Sequence, residues 1–510
     1  MKYSPGTAER EQEVRNPIFG ECQGISSGPV PSMRDMPREF ICQKDHISGS
    51  DMECNNPDPA NVDAMSRNLR TFIPEIIGDL KKLIMVPSVA FPGYPPEPVH
   101  RMAAATADLL RRYGLSNARL LEIPGGYPAV AGDIPPPPGA PTVLLYAHYD
   151  VQPARREDGW ETDPWTPVIR DGRLFGRGAA DNKSGIVTIA ATIRALSGRY
   201  PVGIKVIIEG EEETASHLEA FAEAHPGLFR CDLFVITDMG KLVAGRPVLS
   251  TTLRGEVSCV VTVRSLAHAV HSGEFGGPAP DALVALIKML ATLHDELGDV
   301  AIAGLSSFPW SGSDYPEDLY RQLSGLLDGV DTIGTGTIGS RLWSKPSLTV
   351  IGIDAPAVRD ASNILIPQAR ARISMRIAPG ADPQQEIRLL ADYLRAAAPW
   401  HVHVEISEVH TSSGFICPTG GQGYEAARKV MGAVYRRPVQ EAGGGGTIPL
   451  LNVLKRVVPG AEFILWGCED NERSRIHGSN ESVDTGELER MIVTQALLLQ
   501  GLGNPAMLPR

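Results

Sequence analysis

The stretch TVLLYAHYDVQP, residues 142–153, decides the reading of the fold. Residues 142–147 are a short apolar run of strand length, preceded by the proline run 135–138, which reads as a stiff surface connector. His148 and Asp150 follow at the strand's end. In an open parallel sheet the carboxyl ends of the strands border the ligand crevice, so polar side chains placed there sit where a site would be built. Downstream, helical and strand patterns alternate: a helix over 186–196, a strand over 204–208, a helix over 217–224 and a strand over 233–237. Such alternation predicts an α/β fold with a mainly parallel sheet and helices on both faces.

The pattern changes near Arg254. Strand character over 256–264, a helix over 280–297, strands over 348–353 and 370–377, a helix over 384–398 capped by Asp382 and Pro383, and a strand over 401–406 give the order β-α-β-β-α-β. That is the split-βαβ, ferredoxin-like arrangement, so 254–410 is expected as a small α+β domain inserted into the large one, with 306–346 an irregular insertion within it. The α/β character resumes with a helix over 424–435, a glycine loop at 443–446, a strand over 463–466 and a C-terminal helix from Glu487. Upstream, helical spacing covers 72–85 and 99–113. Residues 1–60, rich in Pro, Gly, Ser and Asn and without periodicity, read as a disordered extension. The expected division is therefore 1–60, then 61–253 and 411–510 as two parts of the large domain, with 254–410 between them.

Composition narrows the function. A chain of 510 residues exceeds one ordinary core. Its net charge of -12 and lack of a basic block exclude the electrostatic footprint of a nucleic-acid binder. No apolar run approaches the roughly 20 residues that span a bilayer, and the N-terminus lacks the apolar stretch of a secretory signal, so a cytoplasmic location is expected. Seven irregularly spaced cysteines read as reduced thiols. Cys22, Cys42 and Cys54, with His46 among them, form no C-x-x-C pair and read as incidental rather than as a zinc knuckle.

Several polar residues fall at or just after strand ends. Asp150 lies two residues from His148 and can orient its imidazole. Asp181, in GRGAADNKSG (176–185), follows glycines that permit close approach of backbone and metal; a helix cap is the plainer alternative, and the loop lacks a phosphate-binding fingerprint. Glu209, Glu211, Glu212 and Glu213 crowd one strand end, where they are either solvated or neutralised by a cation. Asp238 ends the next strand and His477 follows the last. Together His148, Asp181, Glu213, Asp238 and His477 form a nitrogen/oxygen donor set suited to zinc, cobalt or manganese.

With YAHYDVQP (146–153), GRGAADNKSG (176–185), EGEEETAS (209–216), Asp238, HSGEFGG (271–277) and IHGSNES (476–482), the chain from about residue 65 onward resembles a known family. These are the dinuclear-zinc exopeptidases and deacylases: carnosinase-type dipeptidases, glutamate carboxypeptidase, aminoacylase, acetylornithine deacetylase and succinyl-diaminopimelate desuccinylase. The resemblance implies two divalent metal ions per subunit, zinc with cobalt or manganese as alternatives. Asp181 would bridge them, His148 and Asp238 would complete one site, and Glu213 and His477 the other. Glu212 would be the general base for a metal-activated water. It further implies a homodimer in which His271 acts across the interface on the oxyanion, Arg376 binding a substrate carboxylate, and Asn363 and Thr447 lining the pocket. HYDVQP with EG-x-EE points to hydrolysis of dipeptides or C-terminal amino-acid conjugates. An N-acyl-amino-acid deacylase is the alternative, and a non-catalytic binding protein on the same scaffold the rival from another class. Two departures, Ala215 before Ser216 and Asn182 beside Asp181, remove no ligand.

Overall fold

Strands buried on both faces are near-continuous in apolar residues, and Thr142–His148, Gly203–Glu209 and Leu233–Thr237 are buried over almost their whole length. In the computed structural model, which describes residues 59–503, they form the centre of a six-stranded sheet. Its order is Arg119–Leu121, Ala129–Ile134, Gly203–Glu209, Thr142–His148, Leu233–Thr237, Glu462–Trp466. The last four strands are parallel neighbours, and the first two are antiparallel, so the sheet is parallel where it matters for the site and mixed at one edge. The register pairs His148 with Glu209 and Thr237 with Trp466, which brings the carboxyl ends of all four parallel strands to one edge. Helix Lys183–Ala195 packs on Thr142–His148, and the C-terminal helix Thr485–Leu502 packs against it and against Gln422–Tyr435. One apolar core, including Leu145, Ile189, Val235, Ile464 and Leu498, joins these layers.

A second sheet is wholly antiparallel, in the order Ser347–Asp354, Gln368–Ile377, Gly255–Arg264, His403–Ser412. Along Gln368–Ile377 burial alternates: Ala369, Ala371, Ile373, Met375 and Ile377 face a separate core under helices Ala282–Ala291 and Pro383–Ala396. Asp382 caps the second helix through the Gln384 N–H at 3.0 Å.

Three expectations need correction. The helix expected over 280–297 stops at Ala291, because Asp295 accepts from the N–H groups of Leu297 and Asp299 and Gly298 takes a left-handed φ of +87°, turning the chain back. The insertion 306–346 is not irregular throughout: helices Glu317–Ser324 and Ile338–Trp343 carry an aromatic cluster of Trp310, Tyr315, Tyr320 and Trp343. A helix at Pro59–Arg70, with Val62, Met65 and Leu69 buried, had no counterpart in the sequence reading. The expectations for residues 1–58, including Cys22, Cys42, His46 and Cys54, lie outside the described residues.

Candidate metal centre and catalytic cavity

His148, the last residue of its strand, is fully buried, with Nε2 2.9 Å from Asp181 Oδ1 and 3.4 Å from Asp238 Oδ1. The other oxygen of Asp181, Oδ2, lies 3.0 Å from His477 Nε2, which is 3.1 Å from Glu213 Oε2. Two groups that could each hold a metal ion result, His148–Asp181–Asp238 and Asp181–Glu213–His477, each with its atoms within 4.8 Å of one another. Asp181 belongs to both and turns one oxygen to each.

The surrounding hydrogen bonds fix these side chains. The Asp150 carboxylate accepts from the N–H groups of Glu212 at 3.1 Å and Glu213 at 3.0 Å, and its Oδ1 is 3.3 Å from His148 Nδ1. It therefore locks the histidine to the glutamate turn. The four crowded glutamates are sorted by their partners: Glu209 accepts from Tyr146 Oη at 2.6 Å and from Ser216, and Glu211 pairs with His217 at 3.0 Å. Glu212 and Glu213 are left to face the cavity. Asn182, one of the departures from the family pattern, donates to the Thr237 carbonyl at 2.7 Å and to Asp238, and so positions a ligand.

Sequence reasoning gave no role to Glu481 or Glu469. Glu481 is buried and accepts from the N–H groups of Gly178, Ala180 and Asp181 and from Arg177 Nη1 at 2.6 Å, pinning the Asp181 loop to the His477 loop. Its signal was its place in the IHGSNES string. Glu469 lies just beyond strand Glu462–Trp466, where the strand-end rule applied to Asp238 would have found it.

The electrostatics fit a bound cation. Burial pushes the carboxyl pKa values of Glu212, Glu213 and Asp238 up, and repulsion among neighbouring carboxylates pushes them further. Burial alone would depress His148, but Asp238, Asp150 and Asp181 outweigh it and hold the imidazolium well above its usual range. Hydrogen bonds to Asp181 and Glu213 push His477 up to about 11. Protons on the two imidazoles thus occupy the place that divalent charge would take, and metal binding would release them.

The cage opens into a cavity of about 510 Å³ lined also by Trp343, Arg376, Gly443–Gly446, Thr447 and Glu469. Arg376 Nη1 is 3.2 Å from Thr447 Oγ1 and 3.2 Å from Glu256 Oε2. His271 and Asn363 are not brought here. Both are exposed, and they adjoin one another where strand Val270–His271 pairs with Ile364–Leu365 and the Ser272 N–H donates to the Asn363 carbonyl.

A parallel sheet carrying two carboxylate–imidazole triads on one shared aspartate, opening into a cavity with a guanidinium, defines a metal-dependent hydrolase. The sequence pattern of Peptidase family M20/M25/M40 matches residues 144–501, and the chain belongs to that family. It is 36% identical over 372 residues to the cysteinylglycine-S-conjugate dipeptidase of Corynebacterium striatum, covering 71% of this chain and 82% of that one. It is 27% identical over 462 residues to the human Beta-Ala-His dipeptidase, covering 84% and 90%. The crystal structure of human carnosine dipeptidase 1 superimposes with a TM-score of 0.74 at 24% identity, over 88% of this chain and 100% of that one, a likeness of fold alone. The chain is a metallopeptidase with the α/β fold and added α+β sheet of this family. No helix among the described residues is long and apolar enough to cross a membrane.

Proposed function

We propose that the protein hydrolyses dipeptides, with His148, Asp181 and Asp238 holding one divalent cation and Asp181, Glu213 and His477 a second. The observation that carries this reading is the division of Asp181, one oxygen to each histidine. When bound, the cations, for which the donor set favours zinc over cobalt or manganese, polarise the scissile carbonyl and make water nucleophilic at neutral pH. Glu212 has no side-chain hydrogen bond among the described residues and reaches within 4.0 Å of His148 Nε2. It takes the proton of the attacking water and returns it to the leaving amine. Asp150 orients His148. Arg376 receives the substrate's carboxylate, and Thr447, which accepts from Arg376 and donates to the Arg254 carbonyl, lines the pocket beside it.

The two relatives named above are both dipeptidases, which favours this reading over the deacylase alternative. The segment 254–410 would act as a lid and dimerisation domain between catalytic parts 61–253 and 411–510. His271 and Asn363, exposed and away from the cavity of their own chain, suit a role in a partner's cavity within a homodimer. Four buried cysteines with free thiols, Cys231, Cys259, Cys417 and Cys468, suit the cytoplasm.

The test is Glu212→Gln in metal-loaded protein. Hydrolysis of a dipeptide panel should collapse while metal content, measured by mass spectrometry, stays at the wild-type value. Retained turnover defeats the mechanism, and faster cleavage of N-acetyl or N-succinyl amino acids than of dipeptides by the wild type defeats the substrate assignment. Mixing His271→Ala chains with Glu212→Ala chains should restore activity if His271 acts between subunits.

A further inference from the structure

Glu469 and Asp470 are adjacent in sequence and both buried, in a short strand that pairs with Gly240–Lys241. Their surroundings differ. Asp470 is held by Arg173 Nη2 at 2.7 Å, by the Ser474 hydroxyl at 3.0 Å and by the Arg473 N–H at 2.7 Å. The Glu469 carboxylate has no hydrogen bond or ion pair with any described residue, although the residue is only 6% exposed. It lines the catalytic cavity beside Gly240, where an added Cβ would come within 3.5 Å of its Oε2. It is a member of neither ligand triad.

A buried carboxylate without a donor is costly, and such a group in a ligand cavity is matched when the ligand supplies the donor. The same cavity carries the Arg376 guanidinium and the Thr447 hydroxyl. A zwitterion would set its ammonium on Glu469 and its carboxylate on Arg376.

We propose that Glu469 binds the α-ammonium of the substrate's free amino terminus, in the cavity where Arg376 receives its carboxylate. This rests on the dipeptidase reading and deepens it. An N-acylated substrate presents a neutral amide in place of the ammonium and leaves the carboxylate buried and unmatched, so the residue selects against acylated amino termini.

The test compares Leu-Gly with 4-methylpentanoyl-glycine, which lacks only the amino group, on metal-loaded wild type and Glu469→Gln. The isosteric amide leaves no protein partner unpaired, so folding and metal content should match the wild type by thermal melting and mass spectrometry. On Leu-Gly, Glu469→Gln should lose about 100-fold in kcat/KM, mainly through KM, the scale of a charge-assisted hydrogen bond. On 4-methylpentanoyl-glycine the two proteins should agree within about 2-fold, because no charge-assisted bond is there to lose. Glu469→Asp, which keeps the charge but retracts it, should fall between them on Leu-Gly. Equal losses on both substrates, or no loss on Leu-Gly, overturn the assignment of Glu469 while leaving the dipeptidase reading intact. A wild type that prefers 4-methylpentanoyl-glycine overturns both.

Discussion

Two buried charge clusters border the same sheet, and they are built on opposite plans. Around Glu487, in the first turn of the C-terminal helix, Lys241, Arg490, Tyr435 and the Gly245 N–H all point at one carboxylate. Burial alone would raise the Glu487 pKa, but the two cations outweigh it and bring it to about 2. At the cage, Asp181, Glu212, Glu213 and Asp238 meet two imidazoles and, among the described residues, no lysine or arginine, and three of the four carboxyls are pushed up. The first cluster neutralises itself and serves the fold. The second is matched only by charge from outside the chain, which is the physical mark of a site.

The largest expected effect tests the catalytic side of this contrast. Glu212→Gln should lower kcat by roughly 10²–10⁴-fold with unchanged thermal stability. A variant that melted early would place Glu212 among the structural charges and break the distinction.

Breaking the self-neutralised cluster should do the reverse. Lys241→Met leaves Glu487 buried with less of its compensation and should destabilise the protein by about 3–5 kcal/mol in urea unfolding, with metal content unchanged. Loss of metal at equal stability would show that the two clusters are not separate.

Acid sharpens the same point. Because the folded Glu487 pKa of about 2 lies below its ordinary 4.5, its contribution is present above pH 4.5 and is lost as pH falls through 2. The stability difference between wild type and Glu487→Gln should therefore be on the order of 3 kcal/mol at pH 7 and shrink toward zero as pH falls to about 2. A difference that persisted there would remove the ion pair as its cause.

The smallest effect concerns support rather than ligation. Asp150→Asn keeps the shape of the link between His148 and the Glu212–Glu213 turn but weakens its acceptors, and should cost about 10–100-fold in metal affinity by competition with a chelator. Unaltered affinity would mean that packing alone orients His148.

Much of this was legible in the chain. The strands expected at 142–147, 233–237 and 463–466 announced themselves because a strand covered on both faces must be apolar along its length. The five candidate ligands were legible as polar residues at or just after the expected sheet edge. The end of the helix at Ala291 was not, since apolar spacing continues past it and only the turn around Asp295 and Gly298 stops it. Glu481 was quoted in a motif but had no visible task, because its partners are backbone N–H groups some 300 residues away.

By itself, then, the sequence determined the alternation of elements, the chemical type of the donors and the edge of the sheet on which they gather. These follow from backbone periodicity, which is local. Only the tertiary structure decided which of four neighbouring glutamates enter the cavity, how Asp181 divides its oxygens between His148 and a histidine 296 residues away, and that Glu469 lies there without a partner among the described residues. Those outcomes depend on how distant loops pack against each other at the sheet edge, and no local pattern encodes the angle at which two such loops meet.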